Sequence, residues 1–301
     1  MARGHFAKSE KQAASVMKEL QGRIIKSVGT VRNYEQALKT ATDFVKENRL
    51  GGLRDITPEI AHQYLSLRQE EVSQSTLNMD RQALQCMMRH VTHQLGPNDT
   101  LKDDSGRIYQ SQLDKIEQSR AYTTEQAHLI AASQSNKHQL ATLIAHSSGL
   151  RAHELLTLRP LEEKTPSPRE AHPDKFTRLP SPTVAYTVEG KGGLIRKVHL
   201  LNVLSEQLEK TKLPSPQRIT DRGIHYQQHY GIGGGKQWSD SFSKASTRVL
   251  GWSHGGHGLR HSYAQDRMDQ LSNHHPRETA LRIVSQEMGH FRPDITEVYL
   301  R

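Results

Sequence analysis

Four short stretches of this 301-residue sequence carry side chains able to act on a phosphate. They are "GLRAHEL" with Arg151 and Glu154, "GKGG" with Lys191, "HGLRH" with His257, Arg260 and His261, and "MGHFRPDITEVY" with His290 and Tyr299. Each has an ordinary structural explanation when taken alone. Arg151 and Glu154, three apart, share a helix face and could simply form a surface ion pair worth little. Lys191 lies between glycines at a hairpin tip, where it could reach a phosphate, donate a proton or be a plain turn lysine. The spacing is not that of a phosphate-cradling P-loop. His257 and Arg260 project from one face of a starting helix. His254, His257 and His261 are conceivable zinc ligands, but no cysteine or carboxylate stands at ligand spacing beside them. An anion held between arginine and histidine is the other reason for such a run. Tyr299 alone reads as a packed ring with a bonded hydroxyl.

Their order along the chain changes the reading. Arginine, hairpin lysine, His-x-x-Arg, Gly-His and then a tyrosine nine residues on make a basic cage with a single nucleophile. Attack on a phosphodiester builds negative charge on the non-bridging oxygens, which two guanidiniums can stabilise. A hydroxyl can hold the phosphoryl group covalently. A lysine at a turn can protonate the leaving sugar hydroxyl. That chemistry calls for no metal and no cofactor.

The elements that must position these groups fall into two sets. Residues 8–92 read as four amphipathic helices. "EKQAASVMKELQGRII" is the first. The second, "TVRNYEQALKTATDFVKENRL", is capped by Ser27 or Thr30 and stopped at Gly51-Gly52. The third starts at Thr57-Pro58 and the fourth is closed by Gly96-Pro97. We assign 1–100 to a helical domain, 101–119 to a polar linker and 120–301 to a second domain. Thr123-Thr124 opens the first helix of that domain, and "HQLATLIAHSSGL" is the next. Residues 160–182, rich in proline, read as a long surface excursion. "TVAYTVEGKGGLIRKVHLL" is a β-hairpin. After a second glycine-rich loop, "GIGGGKQWSD", three more helices follow. The expected class is mainly α with a small β-hairpin or sheet.

Lys and Arg exceed Asp and Glu by 41 − 32 = 9, which favours a polyanionic partner. Aromatic residues make up only 5%, against a base-stacking single-strand binder. Arg23, Lys26, Arg32 and Lys39 are candidate contacts to a nucleic-acid backbone, though a solvated helix face accounts for them as well. Cys86 is the single cysteine. It lies in an apolar helical run and reads as a buried small hydrophobe, in keeping with a reducing cytoplasm. No stretch approaches the length of a membrane-spanning helix, so no membrane partner is expected.

With "GLRAHEL", "GKGGLIRKVHL", "HGLRH", "MGH" and "TEVY" in this order, residues 120–301 resemble the catalytic domain of the tyrosine recombinase, or phage-type integrase, family. The N-terminal helices resemble, more loosely, its SAM-like core-binding domain. The resemblance implies an α+β catalytic domain that cuts and rejoins duplex DNA through a 3′-phosphotyrosine bond. It implies Arg151 and Arg260 on the scissile phosphate, with Glu154 buttressing the first arginine. Lys191 would protonate the departing 5′ hydroxyl, His257 would assist proton transfer, His290 would hydrogen-bond the phosphate, and Tyr299 would attack. It implies double-stranded DNA with a specific recombination site as partner, four protomers on two duplexes, accessory proteins in some settings, and a prokaryotic, nucleoid-associated location. A mobile genetic element is the expected setting. A type IB topoisomerase-like enzyme and a catalytically silent DNA-binding accessory protein of the same fold are the alternatives. Family members usually carry a further helix or tail after the tyrosine; here Leu300 and Arg301 follow it.

Overall fold

Side-chain caps set where the N-terminal helices begin. In the computed structural model, which describes residues 7–114, 118–190, 192–290 and 292–301, the helices are α1 Ser9–Leu20, α2 Val28–Glu47, α3 Pro58–Glu71 and α4 Gln74–His90. Ser27 accepts from the Thr30 amide and Thr57 from the Ile60 amide, each quieting a donor that the first turn leaves unpaired. The apolar faces meet in one core that includes Val16, Leu20, Leu38, Val45, Leu65, Leu84 and Met87. Two ends differ from the sequence reading. The first helix stops at Leu20 because Gly22, at φ +81°, turns the chain and drops Ile25 back into the core. The second stops at Glu47, ahead of the glycine pair, with Arg49 taking the left-handed conformation at φ +58°. Cys86 is half-buried against this core, and burial pushes its thiol pKa up.

The chain divides into two compact units, Met1–Ile116 and Glu117–Arg301. The polar stretch after α4 holds two anchors that its composition hides. Leu101 and Tyr109 are buried among the first unit's side chains. The Leu101 amide donates to Gln85 Oε1 at 2.9 Å, and the Tyr109 hydroxyl meets His62 Nδ1 at 2.7 Å. This part of the expected linker is therefore laid down on the helices rather than free.

The second unit opens with α5 Thr124–Ala132, whose Thr123 and Gln126 form a reciprocal capping box. Then come α6 Asn136–Ser148, a 3₁₀ turn Glu154–Leu156, and an antiparallel sheet of β1 Arg159–Pro160, β2 Thr183–Glu189 and β3 Ile195–Leu201. Strands β2 and β3 pair from Thr183↔Leu201 to Glu189↔Ile195, which places the Gly-rich turn at the hairpin tip. A short helix α7 Asn202–Glu209 leads to a second hairpin, β4 Lys212–Asp221 and β5 Ile224–Tyr230. The helices α8 Gly235–Leu250, α9 Gly258–Ser272, α10 Arg277–Glu287 and α11 Pro293–Glu297 complete it. The protein is mainly α with small antiparallel sheets. No described helix is long and apolar enough to cross a membrane.

The proline-rich excursion forms no helix or strand between residues 161 and 182. It is nevertheless tied down. The His172 amide donates to Gln286 Oε1 at 2.7 Å and the Phe176 amide to Glu287 Oε1 at 2.8 Å. Arg267 Nη2 donates to the Thr177 carbonyl at 3.1 Å and to Glu287 Oε1 at 2.8 Å. A buried ion pair between α9 and α10 thus doubles as the clasp for this loop.

Candidate functional site

Arg151 leaves α6 through a glycine where a side chain would be strained. Gly149 is left-handed at φ +60°, and a Cβ there would stand 2.6 Å from Tyr263 Cδ1. The turn delivers Arg151 to Glu154, which is fully buried. Glu154 accepts the Arg151 amide at 2.7 Å and Arg151 Nη1 at 2.9 Å. From β3, Arg196 adds Nη2 at 2.8 Å and Nε at 3.3 Å. From α9, Arg260 Nη1 approaches the same carboxylate at 3.9 Å. Three guanidiniums against one carboxylate leave a local charge of 3 − 1 = +2. Burial alone would raise the Glu154 pKa. The guanidiniums of Arg196, Arg260 and Arg151 outweigh that and hold it well below the usual carboxylate range.

Arg260 is wholly buried. Its Nη1 donates to the Gly149 carbonyl, and its Nη2 to the Met288 carbonyl at 3.1 Å and to His290 Nε2 at 3.1 Å. Its Nε is buried with no hydrogen-bond partner, a donor that an anion could use. Burial and the Arg151 charge bring its pKa down to about 10, so it stays cationic at neutral pH.

The contacts of His290 fix its tautomer. Arginine can only donate, so Nε2 accepts, and Nδ1–H donates to Thr296 Oγ1 at 2.9 Å. The neighbouring Gly289 makes room for Arg196 instead: it is left-handed at φ +74°, and a Cβ there would meet Arg196 Cδ at 2.7 Å.

Tyr299 follows α11 and lies over this cluster, only 8% exposed. Its ring centroid is 5.5 Å from Arg260 Cζ, 4.7 Å from the His261 ring and 5.3 Å from the His290 ring. Its hydroxyl is 3.1 Å from His257 Nε2. His257 keeps an exposed edge, but its ring packs against Tyr299 and His261, and that partial burial together with the positive charge of Arg260 pushes the imidazole down to about 4. The same two causes bring His290 to about 3. Burial and Arg120 bring His261 to about 4. All three are neutral at pH 7, so His257 is able to take a proton from the phenol.

The structure therefore gathers Arg151, Glu154, His257, Arg260, His290 and Tyr299 in one place. Lys191 lies outside the described residues. The turn that bears it starts at the cluster, since a Cβ on Gly190 would stand 3.4 Å from Glu154 Oε1. Among the described residues no three His, Cys, Asp or Glu side chains converge as a metal site. In the first unit Arg23, Lys26 and Arg32 are exposed. Lys39 is instead held by Glu10 at 3.4 Å and Asp43 at 3.3 Å, which removes it as an uncommitted cation.

Two members of the cluster escape sequence reasoning. Arg196 bridges Glu154 and the Glu287 carbonyl, the latter at 2.7 Å. The signal was an arginine in register with Val198 and Leu200 on the buried face of a strand. Arg120 donates to the His254 carbonyl at 2.9 Å from a stretch with no periodicity to mark it.

Three solved structures show what arrangement of elements this is. One is the XerH site-specific recombinase bound to a palindromic difH substrate in a post-cleavage complex. It gives a TM-score of 0.56 at 15% identity, over 97% of this chain and 90% of that one. Lambda integrase, in a tetramer bound to a Holliday junction, gives 0.56 at 17%, over 98% and 78%. The Tn1549 transposon integrase in complex with transposon right-end DNA gives 0.52 at 14%, over 98% and 95%. The chain has the tyrosine-recombinase fold. No family model and no curated protein matches its sequence.

Within this tyrosine-recombinase fold the neutral histidines carry a stability signature. The unfolded chain takes up a proton on each near pH 6.5, while the folded chain refuses it until the pH is far lower. Stability is therefore full above pH 6.5 and falls as the pH drops toward 3. Buried His290 contributes up to about 1.4 kcal/mol per pH unit to this slope. Chemical denaturation of His290→Gln across pH 4–6.5 should show a shallower slope than the parent, whatever the offset between them. Parallel slopes would refute the assignment.

Proposed function

We propose that this chain is a site-specific DNA recombinase or integrase working through a covalent tyrosine intermediate. The observation that carries this is Tyr299, whose hydroxyl is 3.1 Å from Nε2 of a neutral histidine and whose ring centroid is 5.5 Å from the guanidinium carbon of a buried, cationic Arg260. The fold shared with recombinases in DNA complexes supports the reading.

The step balances as follows. The phenolic oxygen attacks phosphorus while His257 Nε2 takes its proton. A P–O bond forms to Tyr299, and the bond from phosphorus to the 5′ oxygen breaks. Lys191 protonates that oxygen as it leaves. Arg260 and Arg151 stabilise the charge that builds on the non-bridging oxygens, and His290 holds Arg260 in place or turns to the phosphate itself. The phosphodiester energy is kept in the phosphotyrosine bond, so rejoining needs no nucleotide. The N-terminal helical unit supplies duplex binding, with Arg23, Lys26 and Arg32 on the DNA backbone. Four copies act on two duplexes, and a mobile genetic element is the proposed setting.

The test is incubation with a duplex nicked just 3′ of the cleavage point, so that the short fragment carrying the freed 5′ hydroxyl diffuses away and traps the intermediate. The full chain should give a protein–DNA adduct that resists SDS, forms in EDTA, and yields on proteolysis a nucleotide-bearing peptide that contains Tyr299. DNA binding with no adduct on any duplex tried would leave a silent binding protein and overturn the proposal.

A further inference from the structure

The β4–β5 hairpin is built unlike the rest of the second unit. Its regular part pairs Gln217↔Gln228, Arg218↔Gln227, Ile219↔Tyr226, Thr220↔His225 and Asp221↔Ile224. Arg222 and Gly223 close it with φ of +51° and +79°, as a two-residue turn with both centres left-handed. Directly paired residues share a face, so the ribbon has two distinct sides.

One side is docked. Tyr226 stacks on His153 with centroids 6.2 Å apart, two residues from Arg151. Asp221 Oδ1 accepts the Lys236 amide at the start of α8 at 2.8 Å, and buried Gln228 donates to the Ile232 carbonyl. The other side carries Arg218 with Gln227 and Thr220 with His225, and all four are exposed. Arg222 is exposed at the tip. No carboxylate and no apolar side chain stands among the paired residues of this face. Neither Arg218 nor Arg222 has an ion pair among the described residues. Thr220 Oγ1 engages His225 Nδ1 at 2.8 Å, which leaves Nε2 facing outward. A solvated strand face usually mixes both signs of charge. This one offers only groups that hydrogen-bond to base edges or phosphates.

We infer that the β4–β5 ribbon lays this outward face in the major groove of duplex DNA beside the cleaved phosphate and reads its sequence there. The groove is about 12 Å wide and admits a two-stranded ribbon; arginine forks onto guanine and glutamine onto adenine. Anchoring through His153 ties the ribbon's position to that of Arg151. This inference rests on the recombinase reading and adds to it the element that chooses the site.

The probe is a pool of duplexes with a randomised central stretch, selected by binding to the full chain and sequenced. Arg218→Ala combined with Gln227→Ala is selected in parallel. The parent should enrich a defined sequence. The variant should keep part of it and lose roughly ten- to a hundredfold discrimination over a few adjacent base pairs. On a nicked duplex of the selected sequence the variant, at raised concentration, should still form the Tyr299 adduct, which shows that it is folded and active. If the parent enriches a sequence and forms the adduct, and the variant selects the same sequence equally strongly, the ribbon assignment is wrong while the recombinase reading stands. If the parent neither enriches a sequence nor forms an adduct, both fall.

Discussion

Tyr299→Phe should bind duplex DNA as tightly as the parent and form no covalent adduct with it. The substitution removes one oxygen and leaves the ring. That ring makes most of the residue's contacts: it packs on His261 and His290 and over the Arg260 guanidinium. Its only hydroxyl partner among the described residues is His257, itself exposed, so the stability change should stay within about 1 kcal/mol. The proposed mechanism, by contrast, loses its nucleophile altogether, and adduct on the nicked duplex should fall below detection. Gel shifts and SDS gels on the same samples separate the two effects. Undiminished adduct in the Phe variant would mean that another side chain attacks. Loss of DNA binding together with the adduct would mean that Tyr299 serves structure, and the cage would need a different use.

The types of these residues were legible before any coordinates, and so was their order. The structure brings Arg151, His257, Arg260, His290 and Tyr299 together as that order led one to expect. What spacing could not supply was the commitment of each group. Spacing alone left Arg151 and Glu154 open to being a surface pair, and the resemblance made Glu154 the support of one arginine; it is in fact buried and serves three guanidiniums, those of Arg151, Arg196 and Arg260. Only tertiary folding brings Arg196 and Arg260 to it from 42 and 106 residues away (196 − 154 and 260 − 154). His290, expected to face a phosphate, spends both ring nitrogens on Arg260 and Thr296. A single sequence has no way to show that competition.

The fold was legible where local chemistry decides it. Ser27, Thr57 and Thr123 each cap the helix expected of them, and the Gly190–Gly193 turn closes the hairpin. Residues 202–230 went unread. Their strands mix Pro214 and Pro216 with polar residues, and the turn signal at Arg222-Gly223 lacks the Asn or Asp that usually precedes glycine there. The composition of residues 98–114 is equally misleading, because two buried side chains, Leu101 and Tyr109, are enough to fasten a polar segment.

Glu154→Gln should be the most destabilising conservative change in the second unit. The side chain keeps its size, so packing is not the issue. The amide removes the charge that Arg196 and Arg260, both buried, are paired with, and turns an NH₂ group toward guanidinium donors. Breaking a buried pair from one side costs about 3–5 kcal/mol. At about 2–4 °C per kcal/mol for a unit of this size, the melting temperature should drop by about 6–20 °C. The pH dependence identifies the cause. Glu154 has a depressed pKa in the folded chain, so its contribution is fully present above the ordinary carboxylate range and fades only as the pH falls through and below it. The gap between parent and variant should therefore be constant from pH 8 to pH 5 and narrow under more acidic conditions. Adduct formation should slow as well, since Arg151 loses the carboxylate that holds both its amide and its guanidinium. Melting within 2 °C of the parent would show that the three guanidiniums are held apart by something other than this one carboxylate, and the cage would no longer rest on it.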